Sequence, residues 1–177
     1  MLARFNEAPM PLLYLLRHAK SSWDDPALRD HDRPLAPRGR RAAELIAGHL
    51  RRERIAPALV LCSSAVRARQ TLDGIGSALE DQAEVLVEPG LYGAPARELL
   101  DRLRALPGPV ESAMLIGHNP AIQDLAIELA GSGDRLEALT AKYPTGALVT
   151  LAFDGDWAAL GPGAAELRAF VRPKDLR

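Results

Sequence analysis

A single cysteine, Cys62, is all the thiol chemistry in a chain of 177 residues. It excludes an internal disulfide and fits a reducing compartment. Placed at the end of the apolar run Leu59-Val60-Leu61-Cys62, it reads as a buried structural thiol. Charge of one sign is equally scarce. The formal net charge is -1 and the pI is near 6.4. That balance excludes the broad basic surface of a nucleic-acid binder, although local basic residues can still build a small anion site. No apolar run is long enough to span a bilayer, so no membrane partner is expected. The first residues include Arg4, Asn6, Glu7 and Pro9 and lack the apolar centre of a secretory signal. Residues 1–11 are therefore expected to be a flexible leader, 12–177 a single domain, and the location cytoplasmic. Metal-ligand spacing is also missing. His18, His31, His49 and His118 form no His-x-x-x-His pair, and Cys-x-x-Cys is impossible. No metal and no organic cofactor are expected.

What is present is alternation. Leu12–Leu16, Ala58–Cys62, Ala83–Val87 and Ala113–Ile116 are short apolar runs of strand length. Between them lie stripes at helical spacing. Ala43, Ile46, Ala47 and Leu50 form one, and Ala68, Leu72, Ile75 and Leu79 a second. Ala96, Leu99, Leu100 and Leu103 form a third, and Ile122, Leu125, Ala126 and Leu129 a fourth. In the first helix, Arg40, Arg41, Arg51 and Arg52 are expected on a solvated face, with His49 exposed beside them. Ser63-Ser64 is expected to cap one helix and Asn119 another, with Pro120 at its first position. Gly146–Phe153 and Glu166–Val171 read as closing strands. The pattern predicts an α/β fold, a three-layer α/β/α sandwich on a mostly parallel central sheet.

Polar groups stand just past three of the strands. Arg17-His18 follow the first, Ser63-Ser64 with Arg67 the second, and Gly117-His118-Asn119 the fourth. Ligands of open α/β sheets bind at the carboxyl ends of strands, so these groups are expected to meet in one pocket. Two arginines offer planar donor forks to phosphate oxygens. A neutral imidazole is a nucleophile, and nearby guanidinium charge favours the neutral form. A second imidazole, if cationic, would balance charge on the transferring group. Singly, each residue has a plainer role: a strand-end histidine, a surface arginine, a capping serine.

As a set, the residues resemble the histidine phosphatase superfamily, also called the phosphoglycerate mutase-like family. Its Arg-His hallmark reads here Leu16-Arg17-His18-Ala19-Lys20-Ser21. Its Ser-x-x-x-Arg-x-x-x-Thr signature reads Ser63 to Thr71, with Arg67 at the centre. The late Gly-His motif reads Gly117-His118-Asn119-Pro120. The wording around Arg17–Ser21 and Asp32-Arg33-Pro34-Leu35 is similar to the SixA-like branch of small phosphohistidine phosphatases. The resemblance implies a phosphoglycerate mutase-like fold and a metal-independent phosphatase without a cofactor. His18 would carry the covalent phosphoryl group, Arg17 and Arg67 would bind its oxygens, and His118 would stabilise it. Asn119 and Ser21 are expected to join in substrate binding. The partner it implies is a protein bearing phosphohistidine; the alternatives are a small phosphomonoester, or a catalytically silent phosphate-binding domain.

The chain departs from the family in its acid. Members often carry a glutamate near the segment that here reads Glu88-Pro89-Gly90-Leu91-Tyr92, and Glu88 falls out of register. Glu88 and Asp24 are the candidates for a general acid. Asp24 follows Trp23, where mutases often have asparagine. An alkyl phosphate has a poor leaving group and needs a proton donor, whereas the imidazole leaving from a phosphoramidate can take its proton from water. A weak acid position therefore favours P–N substrates.

Overall fold

The computed structural model describes residues 9–79, 81 and 83–177. Most of the expected leader, residues 1–8, lies outside them; Pro9 and Met10 are exposed. The strands are β1 (Leu12–Arg17), β2 (Leu59–Ser63), β3 (Glu84–Glu88), β4 (Ser112–Gly117), β5 (Ala130–Ser132), β6 (Leu148–Phe153) and β7 (Ala165–Val171). The helices are α1 (Pro37–Arg52), α2 (Val66–Ile75), α3 (Ala96–Arg104), α4 (Ala121–Leu129) and α5 (Leu136–Ala141). One sheet holds the seven strands in the order β3-β2-β4-β1-β6-β7-β5. All neighbouring pairs are parallel except those of β6, which runs against both β1 and β7.

The period of two along β1 shows how the layers form. Leu13 and Leu15 face one way and pack with Leu99, Leu103, Ile122 and Leu125 of α3 and α4. Tyr14 and Leu16 face the other way and pack with Ile46, Leu50, Ala68 and Ile75 of α1 and α2. Each wholly buried aliphatic side chain contributes roughly 1.5–3 kcal/mol. The expected α/β/α sandwich is what the chain adopts. Two expected caps are not. The residue before α2 is Ala65 and the residue before α4 is Pro120, and neither helix has a side-chain cap. Ser63 and Asn119 spend their polar atoms on the site instead. His49 is buried rather than exposed, because it stands three residues after Ile46, at the edge of the apolar stripe. The short β5 and α5 were not expected. Three residues of Ala-Gly-Ser and six of helix are too brief for either periodicity to show.

Among the described residues, no helix is long and apolar enough to cross a membrane. Nor does any group of three or more His, Cys, Asp or Glu side chains stand close enough together to hold a metal ion.

Candidate active site

Strand register brings the motifs together. β1 and β4 are parallel with Arg17 beside Gly117, so the next residues, His18 and His118, emerge side by side. The His18 N–H donates to the Gly117 carbonyl at 3.0 Å, and the two imidazole centroids are 5.0 Å apart. β2 lies on the other side of β4 with Cys62 beside Ile116, which carries Ser63 to the same end. The Ser-x-x-x-Arg-x-x-x-Thr spacing then has a geometric reason. Ser63, Arg67 and Thr71 are four residues apart and share one side of the strand-to-helix junction. Ser63 Oγ meets His118 Nε2 at 2.7 Å, and Arg67 Nε donates to His18 Nε2 at 3.3 Å. Thr71 Oγ1 accepts the Ala19 N–H at 3.0 Å.

The tautomer of His18 follows from its partners. Nδ1 lies 2.7 Å from the Ala19 carbonyl, an acceptor, so Nδ1 carries the proton and Nε2 keeps its lone pair. Burial, joined by the charges of Arg67 and Arg17, pushes this imidazole down to about 3 and holds it neutral.

Arg67 is buried and held on three sides. Nη1 donates to the Asp30 carbonyl at 2.6 Å and Nη2 to Asp30 Oδ2 at 2.9 Å, while Nε faces His18. Asp30 belongs to a short turn, Asp30–Asp32, and its carboxylate also accepts from the Tyr92 hydroxyl at 2.8 Å and Arg33 Nη1 at 3.0 Å. The Tyr92 hydroxyl first, then the guanidinium groups of Arg67 and Arg33, lower the Asp30 carboxyl below its usual range. Asp30 is therefore an anion that orients Arg67. On the opposite side, Arg17 Nη1 donates to the Tyr143 carbonyl at 2.7 Å.

Three buried polar atoms find no partner among the described residues: Arg17 Nε, His118 Nδ1 and Asn119 Oδ1. Ser63 is fully buried, and the acceptor that its hydroxyl proton meets among the described residues is His118 Nε2, since its other partner, the Ala65 N–H, is a donor; Nε2 therefore accepts and leaves His118 Nδ1 as a donor. Arg17 and His118, the two side chains with orphaned donors, are His18's neighbour in the chain and the imidazole beside it. A buried donor without a partner costs about 1–3 kcal/mol, which points to a ligand that accepts. Burial and the Arg67 charge push His118 down to about 4, so it is neutral in the free site. Asn119 Nδ2 donates to Tyr143 O and Gln123 Oε1, which fixes its amide and turns Oδ1 into a free acceptor.

This arrangement can be set beside known proteins. The model of the histidine phosphatase superfamily (branch 1) matches residues 13–93. An uncharacterized protein of Mycobacterium tuberculosis (strain ATCC 25618 / H37Rv) is 40% identical over 90% of this chain and 100% of its own. The phosphohistidine phosphatase SixA of Escherichia coli (strain K12) is 31% identical over 66% of this chain and 73% of its own. A solved structure assigned as the phosphohistidine phosphatase SixA of Nakamurella multipartitia superposes with a TM-score of 0.83. It is 33% identical, over 95% of this chain and 99% of that one. The chain belongs to the histidine phosphatase superfamily. It is a phosphatase of the SixA-like branch, with a phosphoglycerate mutase-like fold.

The remaining candidates of this phosphatase are placed as follows. Glu88 ends β3 beside Ser63, but both of its oxygens are taken by Arg102 of α3, at 2.7 to 3.1 Å. Its carboxylate is a partner of that helix rather than a group offered to the histidines. Asp24 is exposed on the loop, and only its backbone N–H is engaged, on Ser22 Oγ. Ser21 is buried with its hydroxyl on Arg33 Nη2, so it braces the loop that carries Asp30. Neither Asp30 nor Tyr92 is singled out by the sequence. Arg33, in the motif Asp32-Arg33-Pro34-Leu35, was the available signal that this loop is held.

Proposed function

We propose that this phosphatase hydrolyses phosphohistidine in proteins through a covalent phosphohistidine on His18. The observation that carries the reading is the His18 imidazole: neutral, with Nδ1–H on the Ala19 carbonyl and its Nε2 lone pair on Arg67 Nε, next to two side chains with orphaned donors, Arg17 and His118. The Nε2 lone pair forms a bond to phosphorus as the P–N bond of the substrate breaks, and the departing imidazole takes a proton from water. Arg17, Arg67 and His118 Nδ1–H bind the phosphoryl oxygens as charge moves onto them. As the dianion enters, it favours protonation of His118, which then supplies the positive charge that the free site lacks. Water attacks the phosphorus, the P–Nε2 bond breaks, and phosphate leaves with His18 neutral again.

Two features favour a P–N substrate over an alkyl phosphate. The acid nearest the guanidinium of Arg67 is Asp30, held as an anion and therefore a poor proton donor. Asn119 presents an acceptor, suited to the N–H of a leaving imidazole or to the attacking water. The SixA names of the similar proteins agree with this reading. The test compares wild type with His18→Ala on an acid-labile phosphohistidine peptide and on para-nitrophenyl phosphate. Wild type should release phosphate from the peptide, and the variant should lose at least ~10³-fold in kcat on both substrates. Comparable turnover by the variant would remove His18 from the mechanism. A strong preference for the aryl ester would favour a small phosphomonoester instead.

A further inference from the structure

A second cavity, of about 760 Å³, shares a wall with the phosphate pocket. The wall is the segment from Tyr143 to Gly146. On one side the Tyr143 carbonyl holds Arg17 and Asn119, and the Gly146 N–H bonds the carbonyls of Arg17 and His18. On the other side Pro144 and Thr145 line the cavity. Gly146 has φ +76°, and a side chain there would press on Pro173 and Ala42 across the groove. Lys20 closes the near end, two residues after His18 and so within about 7 Å along the chain. Its carbonyl is pinned to the start of α1 by the Ala36 N–H, and a side chain at Gly39 would collide with it.

The groove concentrates positive charge on a chain whose net charge is -1. Lys20, Arg38, Arg41, Lys142, Lys174 and Arg177 line it, all exposed. None of the six forms an ion pair among the described residues. Arg172 also lines it but is bound to Asp175. Against them stands Glu44. Arg38, Arg41 and Leu45 recur at helical spacing on one face of α1, so these charges share one surface. Among the described residues no aromatic side chain lines the cavity to stack on a base or sugar ring. A site for one small anion would bury its donors and hold them, as the Arg67 pocket does. Exposed cations on long stems instead suit several carboxylates on a partner's surface.

We infer that this groove docks acidic residues flanking the phosphorylated side chain of a protein substrate, an inference that rests on the phosphoprotein reading above. With phosphohistidine seated at His18, neighbouring carboxylates of the same chain run over the shared wall onto Lys20 and the α1 face. The groove contributes recognition and encounter rate rather than chemistry.

The test uses fluorescein-labelled peptides carrying phosphoryltriazolylalanine, a stable analogue of phosphohistidine, flanked by glutamates in one peptide and by serines in the other. Fluorescence anisotropy should show wild type binding the acidic peptide ~10-fold more tightly at ~50 mM salt, with the advantage fading towards ~0.5 M as charges are screened. The triple variant R38E/R41E/K174E should lose that advantage while hydrolysing para-nitrophenyl phosphate within about twofold of wild type. Equal binding of the two peptides by wild type overturns the inference, and so does an advantage that survives in the variant. Release of phosphate from the matching phosphohistidine peptides is followed in parallel. If neither is hydrolysed while the aryl ester is, the phosphoprotein reading fails, and the anisotropy comparison still decides whether the groove selects acidic chains.

Discussion

The two basic regions of this phosphatase use the same residue types to opposite ends. In the pocket, Arg67 is 6% exposed, and each of its donor groups faces a fixed acceptor. Its orientation is set before any phosphate arrives, so little ordering remains to be done in the transition state. In the groove, Lys20, Arg38 and Arg41 are solvated and unpaired among the described residues. They supply a field but no fixed geometry, and their interactions weaken as salt rises. Burial with fixed acceptors turns a cation into part of a reaction site; exposure leaves it a recognition element. Net charge, averaged over the molecule, conceals both.

Substituting the pocket cation should give the largest effect on that contrast. Arg67→Lys keeps the charge and removes the planar fork. A lysine cannot satisfy His18 and both Asp30 acceptors at once. We expect kcat/KM to fall ~10²–10³-fold on a phosphohistidine peptide. The same exchange in the groove, Arg41→Lys, should be nearly silent. If Arg67→Lys kept activity within about threefold, the pocket would work as a diffuse field as well, and the comparison would collapse.

Asp30 is the next test, because it is the group that makes the difference. Asp30→Asn retains the backbone carbonyl that holds Arg67 Nη1 but loses the carboxylate on Nη2 and on the Tyr92 hydroxyl. We expect kcat to drop ~10-fold from looser placement of Arg67. Removing a negative charge beside the anion site should leave inorganic phosphate binding no weaker, read as product inhibition. A rise in KM with kcat unchanged would make Asp30 a binding residue rather than a positioning one.

Burial in the pocket also predicts a pH effect that the groove cannot produce. The folded-state values of His18 and His118, about 3 and about 4, lie below the ordinary 6.5. The unfolded chain therefore takes up protons that the native site refuses. Their contribution to stability is complete above about 6.5 and is lost as pH falls towards 4 and 3, by up to ~1.4 kcal/mol per unit for each histidine. Urea unfolding at pH 7.5 and pH 5.5 should show wild type losing ~3 kcal/mol more than the double variant H18Q/H118Q. Equal losses would mean that these rings titrate as exposed histidines do.

Much of this site is legible in the sequence, and what is not has a physical reason. Arg17, His18, Arg67 and His118 stand at strand ends or at helical spacing from them, and parallel register does the rest. The sandwich is equally legible from the alternation of strand runs and amphipathic stripes. Asp30 and Tyr92 meet across 62 residues on irregular backbone, where no periodicity connects them. The caps failed for a related reason: Ser63 and Asn119 have side chains suited to capping, but the pocket competes for the same atoms, and local propensity does not record that competition. The groove is assembled from Lys20, α1, the loop after α5 and the C-terminal turn. In the sequence its arginines appear only as the solvated face of one helix.

The smallest effect is expected at Glu88, and it bears on which chemistry the pocket supports. Glu88 and Arg102 form a bidentate, partly exposed pair between β3 and α3. Glu88→Gln should cost no more than about 1 kcal/mol of stability. Turnover of both the phosphohistidine peptide and para-nitrophenyl phosphate should stay within about twofold, because the carboxylate is committed to a helix rather than to a leaving group. A simple alkyl phosphate is the sharper substrate, since its leaving alkoxide requires a donated proton. If wild type turned one over well and Glu88→Gln lost ~10-fold or more on it alone, the carboxyl would have to leave Arg102 during the reaction. The pocket would then hold a mobile acid beside its fixed guanidinium, and the preference for P–N bonds would lose its structural basis.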